Sequence, residues 1–237
     1  MRALLPIVAK FEKHGPLTAS DRDAVLALPH SVRALAAGEY LVKEHEPATA
    51  CSAVSSGFVC RRLDLPDGRQ QILSVHMAGD LVDFQGAFTD VAACSVQALT
   101  GADVVLIPKA AVVELMAAHP GAARAIWREL AVDASIQRQW TVNVGQRDAQ
   151  TRVAHLLCEL AFKLEDAGFA SRSKFDLPLS QVQLCDATAL TPIHINRVLH
   201  WLGSEGLIEQ QGRKVLVEDW AALAEAGGFD ESYLRPT

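Results

Sequence analysis

The sequence predicts an α+β chain with a β-rich N-terminal half and a helical C-terminal half. Three observations predict this. From Val32 to Pro108, short β-rich runs alternate with turn residues, which is typical of a barrel or jelly roll. From Lys109 onward, apolar residues recur at helical spacing. Near the C-terminus, two short capped helices precede a hairpin, which predicts a small separate domain.

Length and composition fit one large domain or two modest ones, because the chain has 237 residues, half of them apolar. No apolar run approaches the ~18 residues that span a bilayer. The N-terminal segment lacks a complete signal peptide. We therefore expect a cytoplasmic protein that has no membrane partner.

The cysteines do not form a recognisable metal or disulfide pattern. They are Cys51, Cys60, Cys94, Cys158 and Cys185. Their number is odd and no C-x-x-C pair occurs, which disfavours a disulfide framework and an all-cysteine metal centre. Isolated thiols are the expected state.

The net charge of −6 does not exclude a nucleic-acid partner, because such binding uses a local face of the protein. The charges are unevenly distributed. Residues 137–174 hold six basic and four acidic side chains, whereas residues 218–237 hold five acidic and one basic.

The β-rich half begins after a helix expected over residues 16–28, with Thr18 or Ser20 as its N-cap. Pro66-Asp67-Gly68 predicts a hairpin turn between two strands. The β-rich runs cover residues 39–44, 53–65, 69–77 and 103–108.

A short helix is predicted over 109–118, and a long helix from Gly121 to about Val144. Apolar residues of the long helix cover more than one stripe, so both sides need to be buried. A second copy of the chain is the simplest partner for one side; burial within a single chain is the alternative. The candidate dimer-helix residues are Ile126, Leu130, Ile136, Gln137, Trp140 and Val144.

Asn143-Val144-Gly145 interrupts the pattern, which predicts a hinge near Gly145. Another helix is expected over about 148–166. The predicted organisation is a β domain over 1–119, the long helix and hinge over 120–146, and a C-terminal domain over 147–237.

Ser180 and Gln183 form a capping box that predicts a helix over 181–188. Thr191 and Pro192 then start a second helix as N-cap and first residue. Two short helices joined by about three residues are typical of a helix-turn-helix.

The second helix, expected over 191–206, has an apolar face and a polar face. Core positions are Ile195, Val198, Leu199 and Leu202. The opposite side carries Ile193, Asn196, Arg197 and His200, which suit base edges in a DNA major groove. The alternative is an ordinary solvated face.

A two-stranded wing follows, with a strand starting at 206–208, a turn at Gln211-Gly212 and a return strand over 214–217. Arg213 and Lys214 lie at the turn, where they suit contacts to DNA phosphates. Simple solvation is the alternative for these two side chains.

Three segments resemble the Crp/Fnr family of transcription regulators. They are LPLSQVQLCDATALTPIHINRVLHWLGSEGLI, GRQQILSVHMAGDLVDFQGAF and NVGQRDAQTRVAHLLCEL. The run from Thr191 to Leu199 is similar to the T-P-x-H-[IV]-N-R branch of the family. The resemblance implies a cyclic-nucleotide-binding-like β-roll, a long dimerisation helix and a winged helix-turn-helix. It also implies a homodimer on near-palindromic double-stranded DNA, with RNA polymerase as a partner.

By position, the resemblance makes Arg197 a base-contacting residue, with Ile193, Asn196 and His200 beside it. Two residues depart from the family: Ile193 replaces a common glutamate, and Ala189 replaces the usual turn glycine. The target sequence therefore cannot be copied from other members. The expected phosphate-contacting residues are Ser180, Gln181, Thr191, His194, Arg213 and Lys214.

The β-roll departs further from the family. Phe84 occupies the position of the ribose-binding glutamate, and Ala92 lies near that of the phosphate-binding arginine, so cyclic AMP is not expected. Residues 1–50 contain no cysteine, so the N-terminal iron–sulfur cluster is not expected either. Haem remains open through His76 or a cysteine. The candidate effector-pocket residues are Asp83, Phe84, Gln85, Ala92 and Cys94.

Three other functions stay open at this point. One is a haem- or redox-dependent gas sensor of the same fold. Another is a cupin-like metalloenzyme, which needs clustered ligands that His76 lacks along the sequence. The third is a scaffold whose C-terminal domain binds protein. No nucleophile elbow or P-loop occurs, so enzymatic activity is not expected.

Overall fold

The structure is a computed structural model that describes residues 2–13 and 15–235. These residues form two compact units. The first is built from residues 2–13, 15–64 and 73–134, and the second from residues 65–72 and 135–235. No helix in the described part of the chain is both long enough and apolar enough to cross a bilayer.

The first unit begins with two helices, α1 (Leu5–Lys13) and α2 (Ala19–Leu26). The predicted Thr18 cap is confirmed, since its side chain accepts a hydrogen bond from the backbone N–H of Asp21. Ser20 lies inside the helix. The seven strands that follow are β1 (Ser31–Leu35), β2 (Tyr40–Val42), β3 (Ala50–Ser56), β4 (Phe58–Asp64), β5 (Gln70–Met77), β6 (Ser95–Ala98) and β7 (Ala102–Pro108).

These strands form two antiparallel sheets, in the orders β1-β7-β3 and β2-β6-β4-β5. The predicted β-roll is therefore confirmed. The run over residues 53–65 is two strands, not one, because Gly57 adopts a positive φ of 75° between them. The predicted turn at Pro66-Asp67-Gly68 is present, with Gly68 N–H bonded to the carbonyl of Leu65.

Helix α3 (Lys109–Ala118) has the predicted bounds, and α4 (Pro120–Gln146) follows it directly. The predicted break at Asn143-Val144-Gly145 is wrong, because the helix continues through Gly145. One glycine lowers helix stability by only ~1 kcal/mol, which neighbouring packing offsets. The helix ends at Gln146, and α5 (Ala149–Asp166) begins after the Asp148 N-cap.

The predicted dimer face of α4 needs correction. Ile126 is buried in the apolar core of the first unit, and Ile136 and Trp140 are also buried within the chain. These side chains are therefore not available to a second copy. The large apolar side chains that α4 exposes are those of Trp127 and Val142, which are 60% and 44% exposed. Leu130, Gln137 and Val144 are half-buried.

The second unit continues after α5 with β8 (Lys174–Asp176), α6 (Gln181–Thr188) and α7 (Pro192–Ser204). Strands β9 (Ile208–Gln211) and β10 (Lys214–Val217) form the predicted wing hairpin, and α8 (Trp220–Gly227) follows. The sheet order is β8-β10-β9. The third strand, β8, was not predicted from sequence, because it has only three residues and two of them are charged.

Candidate DNA-binding site

Hydrogen bonds from N-cap side chains set where the two helices of the helix-turn-helix begin. The Ser180 hydroxyl accepts from the Gln183 backbone N–H, and the Gln183 side chain accepts from the Ser180 N–H. Both helices therefore begin where predicted, since Thr191 caps α7 and Pro192 is its first residue. Between them, Ala189 adopts φ 54° and ψ 36°. This left-handed conformation costs about 1–2 kcal/mol in a residue with a Cβ.

Helix α7 presents the two faces that its spacing predicts. Ile195 and Leu202 are fully buried. On the other side, Ile193, Asn196, Arg197 and His200 are exposed. Ile193 is 71% exposed, so its aliphatic side chain is accessible to an apolar group of a ligand.

A depression of about 340 Å³ lies between α6, α7 and the wing hairpin. Ser180 and Gln181 line it from the start of α6, Asn196 from α7, and Gln210 and Arg213 from the wing. The structure thus brings several predicted phosphate-contacting and base-contacting residues to one surface. Lys214 is exposed beside them on the same hairpin.

Three of the predicted phosphate-contacting residues make contacts with other side chains inside the domain. The Gln181 side-chain amide donates to Oδ1 of Asn196. The Thr191 hydroxyl lies 2.8 Å from Nδ1 of His194. Both pairs are exposed, so their remaining donors and acceptors face solvent.

An arginine missed by sequence reasoning fixes the helix-turn-helix to the preceding helices. Nη1 of Arg152 donates to the carbonyl of Thr188 at the end of α6, at 2.8 Å. Its Nη2 donates to the carbonyl of Arg147 at 2.8 Å. The Asn143 side chain donates to the Arg152 carbonyl at 3.1 Å. Arg152 therefore joins the end of α4, the start of α5 and the end of α6.

A buried polar cluster holds the C-terminal segment onto α5. Trp140 Nε1 and the Tyr233 hydroxyl donate to the two carboxylate oxygens of Glu159, at 2.9 and 2.7 Å. Nε2 of His155 lies 3.2 Å from the same hydroxyl. Nδ1 of His155 lies 3.1 Å from the Gly227 carbonyl. Glu159 and His155 are only 2% and 1% exposed, so this contact is made inside the second unit.

Burial shifts the pKa values of this cluster. It raises the pKa of Glu159 above its ordinary value, although the hydrogen bonds from Trp140 and Tyr233 oppose the shift. Burial and the nearby charge of Arg147 lower the pKa of His155 to about 4. His155 is therefore neutral in the folded chain at pH 7. The sequence offered one indication of this cluster: His155 and Glu159 lie among the apolar residues of α5.

The β-roll contains a buried charge that the sequence analysis also missed. Arg61 on β4 is 5% exposed. Its Nε donates to the Val82 carbonyl at 2.7 Å, and its Nη1 binds Oδ2 of Asp133 on α4 at 2.6 Å. Both partners belong to the first unit. The available signal was two adjacent arginines, Arg61 and Arg62, after the apolar start of β4.

The charge of Arg61 acts on two of the predicted effector-pocket residues, Asp83 and Cys94. Phe84 and Ala92 are buried, and Asp83, Gln85 and Cys94 are half-buried. Burial raises the pKa of Asp83, and the charge of Arg61 opposes that shift. Burial also raises the pKa of Cys94. Arg61 therefore places a positive charge near two of the five predicted residues.

The candidate haem and metal ligands have other contacts. His76 is 4% exposed, and its Nε2 lies 2.7 Å from the Ser74 hydroxyl. Its Nδ1 lies 3.9 Å from Asp80. In the described residues, no three His, Cys, Asp or Glu side chains are grouped as a metal site. The five cysteines are thiols that form no disulfide, and burial raises the pKa of Cys51 to about 11 and that of Cys158 to about 12.

Two family profiles match separate parts of the chain. Residues 32–119 match the cyclic nucleotide-binding domain, and residues 151–226 match the Crp-like helix-turn-helix domain. Together with the fold, these matches define a DNA-binding transcription regulator with a cyclic nucleotide-binding type of domain.

Individual regulators and a solved structure are similar to most of the chain. The transcriptional activator protein FnrA of Stutzerimonas stutzeri is 28% identical over 214 residues, which cover 90% of this chain and 87% of that protein. Electron transport regulator A of Shewanella oneidensis is 25% identical and covers 86% of this chain and 81% of that protein. The structure of FixK2 from Bradyrhizobium japonicum has the same fold, with a TM-score of 0.76, 24% identity and coverage of 84% and 98%. The chain is a Crp/Fnr-type transcription regulator.

Proposed function

We propose that this regulator binds a near-palindromic DNA site as a homodimer, with α7 in the major groove of each half-site. The exposed side of α7 carries the proposal. Arg197 suits guanine, Asn196 offers an amide to a base edge, and Ile193 offers an aliphatic group to a thymine methyl. His200 lies on the same exposed side. The two half-sites are expected to lie about one DNA turn, ~34 Å, apart.

The phosphate contacts in this proposal come from the residues around α7. Ser180 and Gln181 begin α6, Thr191 and His194 lie in the first turn of α7, and the wing contributes Arg213 and Lys214. Such contacts fix the position of the protein on DNA without selecting a sequence. They also make binding weaken as salt rises.

The proposed dimer uses the exposed stripe of α4. Trp127 is 60% exposed and Val142 is 44% exposed, and they are fifteen positions apart on one helix, close to four helical turns. A second α4 would bury both side chains, as isologous interfaces do.

Sedimentation equilibrium tests the proposed dimer. The W127E variant is expected to be a monomer. The control variant R22E, which changes an exposed charge on α2, is expected to remain a dimer. A monomeric wild type would refute it.

The regulatory step in this proposal is a change in the β-roll that shifts α4 and the following hinge at Arg147-Asp148. Cyclic AMP is not the proposed effector, because Phe84 and Ala92 are buried at the positions where the family binds it.

RNA polymerase is the proposed protein partner, on the basis of the family resemblance. The organisation we propose keeps residues 1–119 as sensor, 120–146 as dimer helix and 147–237 as DNA-binding domain, with the hinge at the start of the last segment.

Selection of bound sequences from a random DNA pool tests the proposal directly. Enrichment of an inverted repeat with half-site centres about 10 base pairs apart is the expected result. Enrichment of a single half-site would overturn the dimeric arrangement. Retention of every sequence to the same degree would overturn sequence-specific binding and leave only an electrostatic DNA contact.

A further inference from the structure

The contact between Gln181 and Asn196 joins the two helices of the helix-turn-helix at the surface that faces DNA. Gln181 is the first residue of α6, and Asn196 is on the exposed side of α7. The Gln181 amide N–H donates to Oδ1 of Asn196. Both residues line the 340 Å³ depression beside the wing. Gln181 therefore touches a candidate base-contacting side chain.

An asparagine amide has one acceptor oxygen and one donor nitrogen. Bidentate binding of adenine uses both, since Oδ1 accepts from N6 and Nδ2 donates to N7. In this structure Oδ1 of Asn196 already accepts from Gln181. Its Nδ2 keeps two N–H donors. The group left for DNA is chiefly a donor, which suits base acceptors such as guanine O6 and N7 or thymine O4.

We propose that Gln181 is a specificity-positioning residue that holds Asn196 as a hydrogen-bond donor toward the DNA base. This inference rests on the proposed DNA-binding function and refines it. It replaces the earlier expectation that Gln181 contacts a phosphate. The selected base opposite Asn196 is one that presents acceptors, guanine or thymine. Cytosine, which presents only an amine donor, is disfavoured there, and adenine is contacted through N7 alone.

If this contact orients Asn196, replacing the Gln181 amide by a carboxylate should reverse the base preference opposite Asn196. Q181E removes the amide donor and supplies only acceptors. The Asn196 amide then turns so that Nδ2 donates to the introduced carboxylate and Oδ1 faces the DNA. The preference at that one position in each half-site shifts toward bases with an exocyclic amine, adenine and cytosine. We expect the ratio between preferred and disfavoured bases to change about twofold to tenfold, the range of one hydrogen bond.

The added negative charge of Q181E also weakens binding to all DNA, and Q210E controls for that effect. Gln210 lines the same depression but donates to the Gly212 carbonyl within the wing. Q210E is expected to lower affinity for every sequence and to leave the base preference opposite Asn196 unchanged.

The experiment is competition binding of the full-length protein to sites with each of the four bases at every position, at several salt concentrations. The variants are Q181A, Q181E, N196A and Q181A/N196A. Support is a changed preference at the same position in Q181A and N196A, a double variant equal to N196A, and a salt dependence like that of the wild type. Uniform weakening by Q181A across all sequences, with no change in base preference, would make Gln181 a phosphate contact and overturn the proposal. An unchanged preference in Q181A would overturn it as well.

The same experiment distinguishes a failure of the proposed DNA-binding function from a failure of the role of Gln181. If the wild-type protein shows no base preference at any position, sequence-specific binding itself is refuted. If the wild type has a preference that Q181A and Q181E leave intact, only the role of Gln181 is refuted.

Discussion

The surface of α7 and the interior of the β-roll use charged and polar side chains in opposite ways. On α7, Arg197 and His200 are exposed, and Ile193 is left in water. In the β-roll, Arg61 is buried and bound to Asp133 and the Val82 carbonyl. Side chains of the first kind add little to folding and are available to a ligand. Side chains of the second kind must keep their partners for the fold to stay stable, because an unpaired buried charge is costly.

This difference leads to a simple test: substitutions on α7 should change DNA binding and spare stability, while substitutions of the buried pair should do the reverse. The largest effect is expected for R197A. Loss of one arginine–guanine pair costs about 1–3 kcal/mol, so a two-site dimer loses about 2–6 kcal/mol of specific binding. Gel-shift titration measures it. Equal losses on specific and random DNA would refute the base-contacting role, and R33A, an exposed arginine on β1, is the control.

The next largest effect is expected for D133A. Removal of this carboxylate leaves the Arg61 guanidinium buried without its charged partner, which costs about 3 kcal/mol of unfolding free energy. Denaturant unfolding of the full chain measures it. The double variant R61M/D133L removes both charges and should recover most of the loss. D23A changes an exposed aspartate of α2 and should alter stability little. A D133A protein as stable as the wild type would show that the pair is not required.

Acid should destabilise the second unit through His155. Its pKa of about 4 in the folded chain lies below the ordinary value of 6.5. The stabilisation is therefore complete above pH 6.5 and is lost as the pH falls toward 4. At pH 5 the loss is about 2 kcal/mol. Burial raises the pKa of Glu159, so protonation of that group acts in the opposite direction.

Urea unfolding at pH 7.5 and pH 5 separates these contributions. H155F should lose stability at both pH values but show less acid sensitivity than the wild type. H200F, at an exposed position of α7, should leave the acid sensitivity unchanged. Equal pH dependence in H155F and the wild type would rule out His155 as the titrating group.

A smaller effect is expected for the wing. R213A and K214A should each weaken binding to specific and random DNA alike, by about 1 kcal/mol, and should each lower the salt slope by about one per wing. A changed base preference would instead give the wing a role in sequence selection.

The smallest effect is expected for A189G, which changes folding alone. Gly removes the strain of the left-handed conformation at φ 54°, partly offset by the greater freedom of glycine in the unfolded chain. A gain of about 0.5–1 kcal/mol in unfolding free energy is expected. A117G, in an exposed helical position of α3, should lose a similar amount.

Features encoded by neighbouring residues were predictable from the sequence. The caps at Ser180 and Thr191 fixed the starts of α6 and α7, and the hairpin turn at Pro66-Asp67-Gly68 was correct. Gly145 was misjudged, because the packing around the end of α4 outweighs the low helix propensity of one residue. The exposed face of α7 followed from its periodicity.

Features that depend on distant contacts were not predictable in this way. Arg61 and Asp133 are 72 positions apart, and Tyr233 is 74 positions from Glu159. Spacing along the chain does not show that such residues meet. The assignment of Trp140 to the dimer face failed for the same reason, because its indole N–H is bonded to Glu159 inside the second unit. Apolar spacing identifies what is buried but not which partner buries it.

The contact of Tyr233 with Glu159 has a consequence for protein turnover. Tyr233 lies after residue 226, where the match to the helix-turn-helix family ends, yet its hydroxyl satisfies a carboxylate that is 2% exposed. A protease that removed the last few residues would leave the DNA-contacting surface chemically intact. It would also leave a buried carboxylate with one donor fewer and loosen the end of α4 beside Trp140. Trimming at the C-terminus would thus shorten the lifetime of the regulator without touching any residue that binds DNA.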